Sequence, residues 1–429
     1  MKPVIHKTAA RFKHKVLGML QVAAAYLSVY LAFSGGKSLQ VDRSALKEIK
    51  PPFIVLANHT SFIDPALIQF VVAKYPCYFL TTNFYFRHPL IGKLLHLFGA
   101  IPKIQFFPDI RSTRGALAAI ARGDVVGIFP EGRRSIDGSC CDIPESIARF
   151  IKKVKVPVVA VKINGGYFAW PRWSAFWRPG HVETTAKLLF TADDIGAMDA
   201  KQIYSAVCQA LSYNDYDWNR SARERYSHQH IAEQLHLILH QCPRCLREQI
   251  MRSRQNRLYC SGCGNAAIID EYGFLQPFDH TCVVFDDPVK WTAWQRKNIL
   301  ALVSDEQFLI QTAVCELRTA DKYYGTFRRC GYGLLYLRHA GLYFHGQVDG
   351  QTKDLFFPID RVPTISTEFK NDFEICDDTT AWWIFLAEEQ QTVRLECAIS
   401  LLYKLYGEKQ PALNRQESSK APEHKMQSV

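Results

Sequence analysis

The stretch FIVLANHTSFIDPAL, residues 53–67, decides the fold. Five apolar residues, Phe53–Ala57, predict a short buried strand, and the pattern after Asp64 predicts a helix. Further segments alternate in the same way: strands at 77–81, 125–129 and 157–163, and helices at 65–73, 89–98 and 112–122. This alternation is typical of an α/β domain with a mostly parallel sheet covered on both faces. Because such folds form their sites at the carboxyl ends of strands, His59 lies where a functional residue is expected.

Length and charge suggest a modular, membrane-associated chain. Its 429 residues fit two or three domains, and 48% hydrophobic with 22% charged residues is ordinary for a globular protein. Of the net charge of +11, residues 1–50 contribute +7, from nine Lys and Arg against two acidic residues. Such a basic segment beside apolar residues favours an anionic membrane surface. Attraction to nucleic acid, or simple solubility, is the alternative.

The apolar segment Val16–Gly36 has 21 residues without a charge. About 20 residues suffice to cross a bilayer. However, Gln21, Ser28 and several alanines make the segment only moderately apolar, which favours a helix lying in the interface, with a spanning helix as the alternative. No convincing signal-peptide cleavage site follows it. We expect a peripheral protein or one with a single N-terminal membrane helix.

His59 and Asp64 are spaced for acid–base chemistry. The turn between the strand and the helix can fold the carboxylate onto one imidazole nitrogen. The other nitrogen then faces the site without a proton, as a general base requires. A histidine followed five residues later by aspartate also occurs in many proteins as a structural hydrogen-bonding pair, so the spacing alone does not decide between these roles.

Three further segments bear on that choice. GAIPK (residues 99–103), FPEGRRS (129–135) and VPVVAVKINGG (156–166) follow NHTSFID in order. Together the four blocks resemble the glycerolipid acyltransferases of the 1-acylglycerol-3-phosphate (lysophosphatidic acid) acyltransferase family, over residues 20–220. The pair NHTSFID and FPEGRRS is the specific part of this resemblance.

The resemblance implies direct acyl transfer without a covalent enzyme intermediate. His59 would take the proton of an acceptor hydroxyl, oriented by Asp64, and the donor would be acyl-CoA or acyl-carrier protein. The acceptor would be a lysophosphatidic acid-like lysophospholipid, acylated for phospholipid synthesis at the cytoplasmic face of the membrane. The lack of a G-x-S-x-G nucleophile motif agrees. Alternatives are an acyltransferase for another lysolipid or glycerol phosphate, and a non-catalytic membrane adaptor.

The acceptor's phosphate requires cations, and arginine binds phosphate bidentately. The predicted substrate-binding residues are Lys103, Arg111, Glu131, Gly132, Arg133 and Arg134. Arg134 matches the family's arginine, whereas Arg133 replaces the usual threonine. The arginine expected soon after GAIPK is missing, and Lys103 or Arg111 is its candidate replacement. Glu131 would bind glycerol hydroxyls, anchor the turn that Gly132 permits, or pair with a neighbouring arginine.

Four cysteines form two C-x2-C pairs separated by 14 residues: Cys242, Cys245, Cys260 and Cys263. Four thiolates at this spacing close a tetrahedral Zn²⁺ site and leave no open position, so the predicted role is structural. The segment resembles a zinc ribbon. Nucleic-acid binding is not favoured, because there is a single ribbon with few aromatic residues. The other cysteines are scattered among apolar neighbours, as in reducing compartments.

The last third of the chain predicts a small β-rich domain. Short apolar runs predict several strands, and residues 390–406 predict a final helix with Val393, Cys397, Leu401 and Leu405 on one stripe. The pattern resembles a pleckstrin-homology (PH) or GRAM-like module. The expected organisation is a basic N-terminus with a membrane-associated helix (1–50), an acyltransferase domain (51–225), a linker helix and zinc ribbon (226–275), the β-rich domain (276–408) and a disordered tail (409–429).

Overall fold

The computed structural model describes residues 2–34, 37–320, 325–367 and 370–418. The chain divides into two compact units, Met1–Ala293 and Trp294–Val429. The predicted boundaries at residues 50, 225, 275 and 408 remain predictions.

The first unit contains the predicted α/β elements. Its helices are α1 Lys2–Phe33, α2 Asp64–Val72, α3 Asn83–Phe86, α4 Pro89–Leu97, α5 Ile110–Ala121, α6 Ser146–Val154, α7 Gly166–Ala169, α8 Ala192–Ala197, α9 Ala200–Leu211 and α10 Asp215–Ala222. Its strands are β1 Ser38–Asp42, β2 Phe53–Ala57, β3 Cys77–Thr82, β4 Ile101–Lys103, β5 Val125–Ile128, β6 Val158–Asn164, β7 His181–Phe190, β8 Met251–Arg254, β9 Arg257–Cys260, β10 Ala266–Ile269 and β11 Leu275–Pro277. Helix α11, Pro288–Val303, contains the division point between the units.

The main sheet has seven strands in the order β1-β7-β6-β2-β5-β3-β4. Strands β2 to β6 are parallel to one another. Strand β7 runs antiparallel to β6, and β1 pairs parallel with β7, so the sheet is mixed. The prediction of a mostly parallel sheet is correct for every neighbouring pair of strands except β6–β7, which is antiparallel. The reason is local: the connection from β6 to β7 contains only the short α7 and no long crossover helix, which a parallel return would need.

Strand β2 lies at the centre of the sheet, and all five of its residues are buried. Ile54 and Leu56 share a core with side chains of α5, α6 and α9. Because alternate residues of a strand face opposite sides, Phe53 and Val55 are buried on the other face, where Phe53 meets Tyr75 at 6.3 Å between ring centroids. A strand covered on both faces has little freedom to shift, so β2 fixes the position of His59, two residues after its end.

Helix α1 contains the apolar segment as far as Phe33, and Gly35 and Gly36 lie outside the described residues. Val16–Phe33 is long and apolar enough to cross a membrane by length and composition, with a mean hydropathy of 1.8. One side of it packs on the first unit. Tyr26 lies 4.5 Å from Phe70 of α2 between ring centroids, and the Gln21 side chain donates to the Cys77 carbonyl. Met19, Leu27, Tyr30 and other apolar side chains of α1 are exposed.

The linker helix predicted within residues 226–275 is absent, and residues 200–240 are helical only in α9 and α10. After α10 the chain is irregular, apart from one 3-10 turn at Leu235–Leu237. The backbone N–H groups of Tyr226 and Ala232 donate to the carbonyls of Glu271 and Gln255. These tertiary bonds replace the bonds that a continuous helix would make. The segment leads into a four-stranded antiparallel sheet in the order β11-β10-β9-β8. Of the four cysteines in the predicted metal site, Cys260 ends β9 and Cys263 lies in the turn after it.

The second unit is β-rich, as predicted. Its strands are β12 Ile310–Gln311, β13 Cys315–Ala320, β14 Arg328–Arg338, β15 Gly341–Val348, β16 Gln351–Pro358, β17 Ser366–Thr367, β18 Asp372–Cys376 and β19 Ala381–Phe385. They form one antiparallel sheet in the order β16-β15-β14-β13-β19-β18-β17, with β12 paired to β14.

The last helix, α12, runs over Gln391–Ser418 and is longer than predicted. Its buried residues include Leu395, Ile399 and Leu402, so the face toward the core is centred beside the predicted stripe. The expected disordered tail is thus helical as far as Ser418, because Glu, Lys, Gln, Ala and Leu in this stretch are good helix formers. Residues 419–429 lie outside the described part of the chain.

Candidate active site

His59 and Asp64 lie together, as their spacing predicts. Strand β2 ends at Ala57 and helix α2 begins at Asp64, so the intervening turn brings the carboxylate back toward the strand end. His59 Nδ1 lies 2.9 Å from Asp64 Oδ2. With the Nδ1 proton directed at this carboxylate, Nε2 carries the free lone pair.

The Asp64 carboxylate is completely buried and surrounded by donors. Oδ2 accepts from the backbone N–H groups of Thr60 (2.6 Å) and Ser61 (2.8 Å) in addition to His59. Oδ1 accepts from the hydroxyls of the same two residues, with the Thr60 oxygen at 3.2 Å. The residues between histidine and aspartate therefore hold the carboxylate, and the carboxylate in turn fixes the imidazole.

His59 is held as a neutral base. Burial lowers the pKa of His59, and the positive charges of Arg134 and Arg172 lower it further, whereas Asp64 opposes the shift. Phe129 stacks on the imidazole with 4.1 Å between ring centroids. The side chain keeps 18% of its surface exposed, which leaves access for a reactant. A neutral, oriented and accessible imidazole is suited to removing a proton from a hydroxyl.

The FPEGRRS turn holds the backbone of His59 from both sides. Glu131 Oε1 accepts from the His59 N–H at 2.9 Å, and the backbone N–H of Ser135 donates to the His59 carbonyl at 2.7 Å. Glu131 Oε2 accepts from the Cys141 N–H at 2.7 Å. Burial raises the pKa of Glu131 to about 8, against the effect of these donors and of Arg133. Of the roles considered for Glu131, anchoring the turn is the one these contacts support.

Two glycines permit the close approach of these segments. Gly132 has a φ of 71° and closes a turn by donating to the Phe129 carbonyl at 3.0 Å. A Cβ on Gly166 would lie 2.2 Å from Thr60 Oγ1. Asn58 joins the two strand ends, because its side chain exchanges two hydrogen bonds of 2.8 Å with the backbone of Ile163. Three strand ends, those of β2, β5 and β6, thus converge at His59.

The predicted cations occupy different environments. The Arg134 guanidinium lies over the Phe62 ring at 4.7 Å, and that of Arg133 lies over Phe106 at 5.7 Å. Lys103 ends β4, where burial lowers its pKa in opposition to Asp109. Arg111 is exposed in the first turn of α5. The charge of Arg134 lowers the pKa of His59.

Arg172 was not singled out from the sequence. It follows α7 in the segment WPRW, residues 170–173, and its charge lowers the pKa of His59 as that of Arg134 does. Its neighbour Trp170 lies 5.8 Å from Phe62, the ring that also carries Arg134. The feature of the sequence that could have identified it is an arginine between two tryptophans, a few residues after the two glycines that follow β6.

The four cysteines of the predicted metal site converge. The four sulfur atoms lie within 4.8 Å of one another, with Cys242 and Cys263 at 3.7 Å and Cys245 and Cys260 at 3.8 Å. A tetrahedral ion with Zn–S bonds of about 2.3 Å requires sulfur atoms about 3.8 Å apart. The donor set and its spacing therefore fit a four-coordinate thiolate-bound metal.

Comparison with known proteins places an acyltransferase match on the part of the chain that contains His59. Residues 38–164 match the family model Acyltransferase. A chloroplastic 1-acyl-sn-glycerol-3-phosphate acyltransferase of Brassica napus is 27% identical over 27% of this chain and 33% of its own length. The 1-acyl-sn-glycerol-3-phosphate acyltransferase of Bacillus subtilis is 23% identical over 34% of this chain and 72% of its own.

Among solved structures, the chain is similar to the 1-acyl-sn-glycerophosphate (LPA) acyltransferase of Thermotoga maritima. The identity is 23% and the TM-score 0.35, over 40% of this chain and 70% of that one. The chain thus spans one third of the length of the Brassica relative and over two thirds of the two bacterial proteins.

Proposed function

We propose that the protein transfers a fatty acyl group from an acyl thioester, acyl-CoA or acyl-carrier protein, to the hydroxyl of a lysophosphatidic acid-like acceptor in phospholipid synthesis. The observation that carries the proposal is the His59–Asp64 pair at the end of β2, in which the buried Asp64 orients an accessible imidazole whose pKa is lowered. The acyltransferase-family match over residues 38–164 supports it.

The reaction proceeds by direct transfer. Nε2 of His59 takes the proton of the acceptor hydroxyl as its oxygen attacks the thioester carbonyl carbon, and Asp64 stabilises the imidazolium that forms. The tetrahedral intermediate then collapses, the C–S bond breaks, and the thiolate leaves with the electron pair. The imidazolium returns its proton to that thiolate. The balance is one ester formed, one thioester broken and no net change in His59.

The acceptor is held by its phosphate. Arg134 and Arg172, whose charges both act on His59, are the cations that we assign to the phosphate nearest the reacting hydroxyl. Lys103, Arg111 and Arg133 remain predicted contributors. Because Arg172 comes from a different segment than the arginine expected after GAIPK, the headgroup geometry can differ from that of the relatives. Another lysolipid or glycerol phosphate is therefore the alternative acceptor.

Two accessory features complete the proposal. The apolar part of α1 would hold the enzyme at the cytoplasmic face of the membrane, where lysophospholipids reside. The four cysteines would hold a structural Zn²⁺ in a ribbon-like module. The second unit, with its antiparallel strand order and final helix, would be a PH- or GRAM-like accessory for lipid or partner binding.

The test is acyl transfer from labelled acyl-CoA and acyl-carrier protein to a panel of lysolipids and glycerol phosphate. His59→Ala serves as the inactive control, and loss of a general base is expected to reduce the rate by about 10²–10⁴. If wild-type protein transfers no more label than His59→Ala to any acceptor from either donor, the enzyme proposal is wrong and the adaptor alternative takes its place.

A further inference from the structure

Helix α4 presents apolar side chains to solvent. Leu90, Ile91, Leu94 and Leu97 are 73%, 43%, 50% and 45% exposed, and we call these four residues the α4 face. Successive helical residues turn by about 100°, so Leu90, Leu94 and Leu97 fall within an arc of about 60°. Three leucines in a row on one exposed helix face form a small apolar surface that is available for interaction.

The opposite side of α4 is fixed to the protein. Gly92 is buried, and a Cβ at this position would lie 2.3 Å from the Phe86 carbonyl of α3. His88 caps the helix by accepting from the Ile91 N–H at 3.3 Å. The helix is therefore anchored by the side that contains Gly92, and the α4 face is directed away from α3.

The segment of sequence that contains the α4 face carries charge of one sign. No Asp or Glu occurs between Asp64 and Asp109 in the sequence, whereas Lys74, Arg87, Lys93 and Lys103 do. Exposed leucines flanked by cations without acidic residues are the composition that anionic lipid surfaces attract. A protein partner that binds mainly through apolar contact would not require this acid-free segment.

The size of the α4 face also argues against a second copy of the chain. A nine-residue helix is about 13 Å long and about 10 Å wide, so its footprint is far below the roughly 800 Å² per partner of a stable protein interface. A bilayer has no such minimum, because each inserted leucine contributes separately.

The α4 face is connected to the active site through α3. The Tyr85 ring of α3 lies 6.0 Å from the ring of Phe62, a half-exposed residue of the NHTSFID turn. The Arg134 guanidinium lies over the same Phe62 ring. From these observations we propose that the α4 face inserts into the surface of an anionic bilayer, as a second membrane contact besides α1, and holds the mouth of the His59 site against the lipid.

Docking would let an acceptor reach His59 without leaving the bilayer. This benefit to turnover rests on the proposed function, but the docking itself does not. The first measurement is therefore hydrogen–deuterium exchange on the full chain, with and without vesicles of phosphatidylglycerol and phosphatidylethanolamine. It needs no substrate and reports α1 and α4 separately.

We expect vesicles to slow exchange in residues 88–98 of the wild type at least tenfold. In Leu90→Glu/Leu94→Glu this slowing should be lost while that of α1 persists. The matched control is Leu309→Glu/Val314→Glu, which places the same charges on exposed apolar positions of the second unit. If far-UV circular dichroism shows that the glutamate variant is misfolded, Leu90→Gln/Leu94→Gln replaces it, since glutamine is a good helix former.

Three results would overturn the docking proposal: no vesicle-dependent slowing in residues 88–98, equal slowing in the α4 variant, or slowing that follows protein concentration without vesicles, which would indicate self-association. The functional arm compares a bilayer-presented acceptor with a short-chain, monomeric one. We expect the α4 variant to lose at least tenfold in kcat/KM for the first and to keep its rate with the second. If neither protein turns over while the exchange result holds, the proposed function fails and the docking stands.

Discussion

Asp64→Asn separates two roles of the carboxylate, its charge and its control of the imidazole tautomer. In the wild type, Oδ2 accepts from three N–H groups, of His59, Thr60 and Ser61, whereas Oδ1 faces two hydroxyls. An amide at position 64 would keep its oxygen toward the three N–H donors. Its NH2 group would face the hydroxyls, which can turn and accept. We therefore expect the productive tautomer, with Nε2 unprotonated, to survive the substitution.

The expected loss then comes from the charge alone. A hydrogen bond to a charged group is worth about 1–2 kcal/mol more than a neutral one. This difference corresponds to a fall in kcat/KM of about 5- to 30-fold. Because Asp64 raises the pKa of His59, its neutralisation should also move the acid limb of the pH–rate profile to lower pH.

The assay is steady-state acyl transfer to the best acceptor of the panel, from pH 4 to 9. Asp124→Asn, an aspartate paired with Arg122 at 2.9 Å, is the matched control and should leave both rate and profile unchanged. Adding Ser61→Ala to Asp64→Asn removes one hydroxyl and should lower the rate further. A loss near 10⁴ in the single variant, as a wrong tautomer causes in Ser–His–Asp enzymes, would refute the role given to the hydroxyls.

The remaining predictions concern the charges near His59, the strand junction and the cysteines. Since His59 must be neutral to act as a base and its pKa is lowered, the acid limb of the kcat/KM profile should lie below pH 6.5. Arg134→Gln and Arg172→Gln each remove a charge that lowers this pKa, so each should move the acid limb to higher pH. An unmoved limb would contradict the assignment of these arginines. Gly166→Ala should reduce stability by about 1–3 kcal/mol in denaturant titration because of the clash with Thr60. The control Gly196→Ala, with no atom within 4 Å of its Cβ, should be neutral or slightly stabilising. Elemental analysis should find one zinc per chain, which is lost in Cys245→Ser but retained in the control Cys376→Ser. A chelator should lower the melting temperature of the wild type. Metal-free protein with an unchanged melting temperature would contradict the zinc ribbon.

Much of the first unit could be predicted from the sequence because its pattern is local. Strand β2 occupies the predicted residues, since five apolar side chains in a row between Pro52 and Asn58 leave few alternatives. The His59–Asp64 contact could also be predicted, because the turn of six residues between the end of β2 and the start of α2 is short enough to fix the geometry. The cysteine cluster followed from its spacing for the same reason.

The features that the sequence did not reveal depend on long-range contacts. Arg172 lies in an irregular segment, and its proximity to His59 results from the way α7 and the tryptophans pack. The antiparallel β7 depends on the absence of a crossover helix, which a pattern of strands alone does not report. Residues 223–240 form no α-helix, because their backbone makes hydrogen bonds with Glu271 and Gln255, partners more than twenty residues away.

The hold of FPEGRRS on His59 has a consequence for how such enzymes can diversify. The hydrogen bonds to the backbone of His59 come from the Glu131 side chain and the backbone of Ser135, and neither involves the side chains at 133 and 134. Under the proposed function, a substitution at 133 can therefore change which headgroup is accepted while the backbone of His59 stays in place, whereas one at 134 also changes the pKa of His59. A duplicated gene could drift toward a new lipid through viable intermediates, and Arg133, which stands where the family that this chain resembles has threonine, is predicted to be a change of that kind.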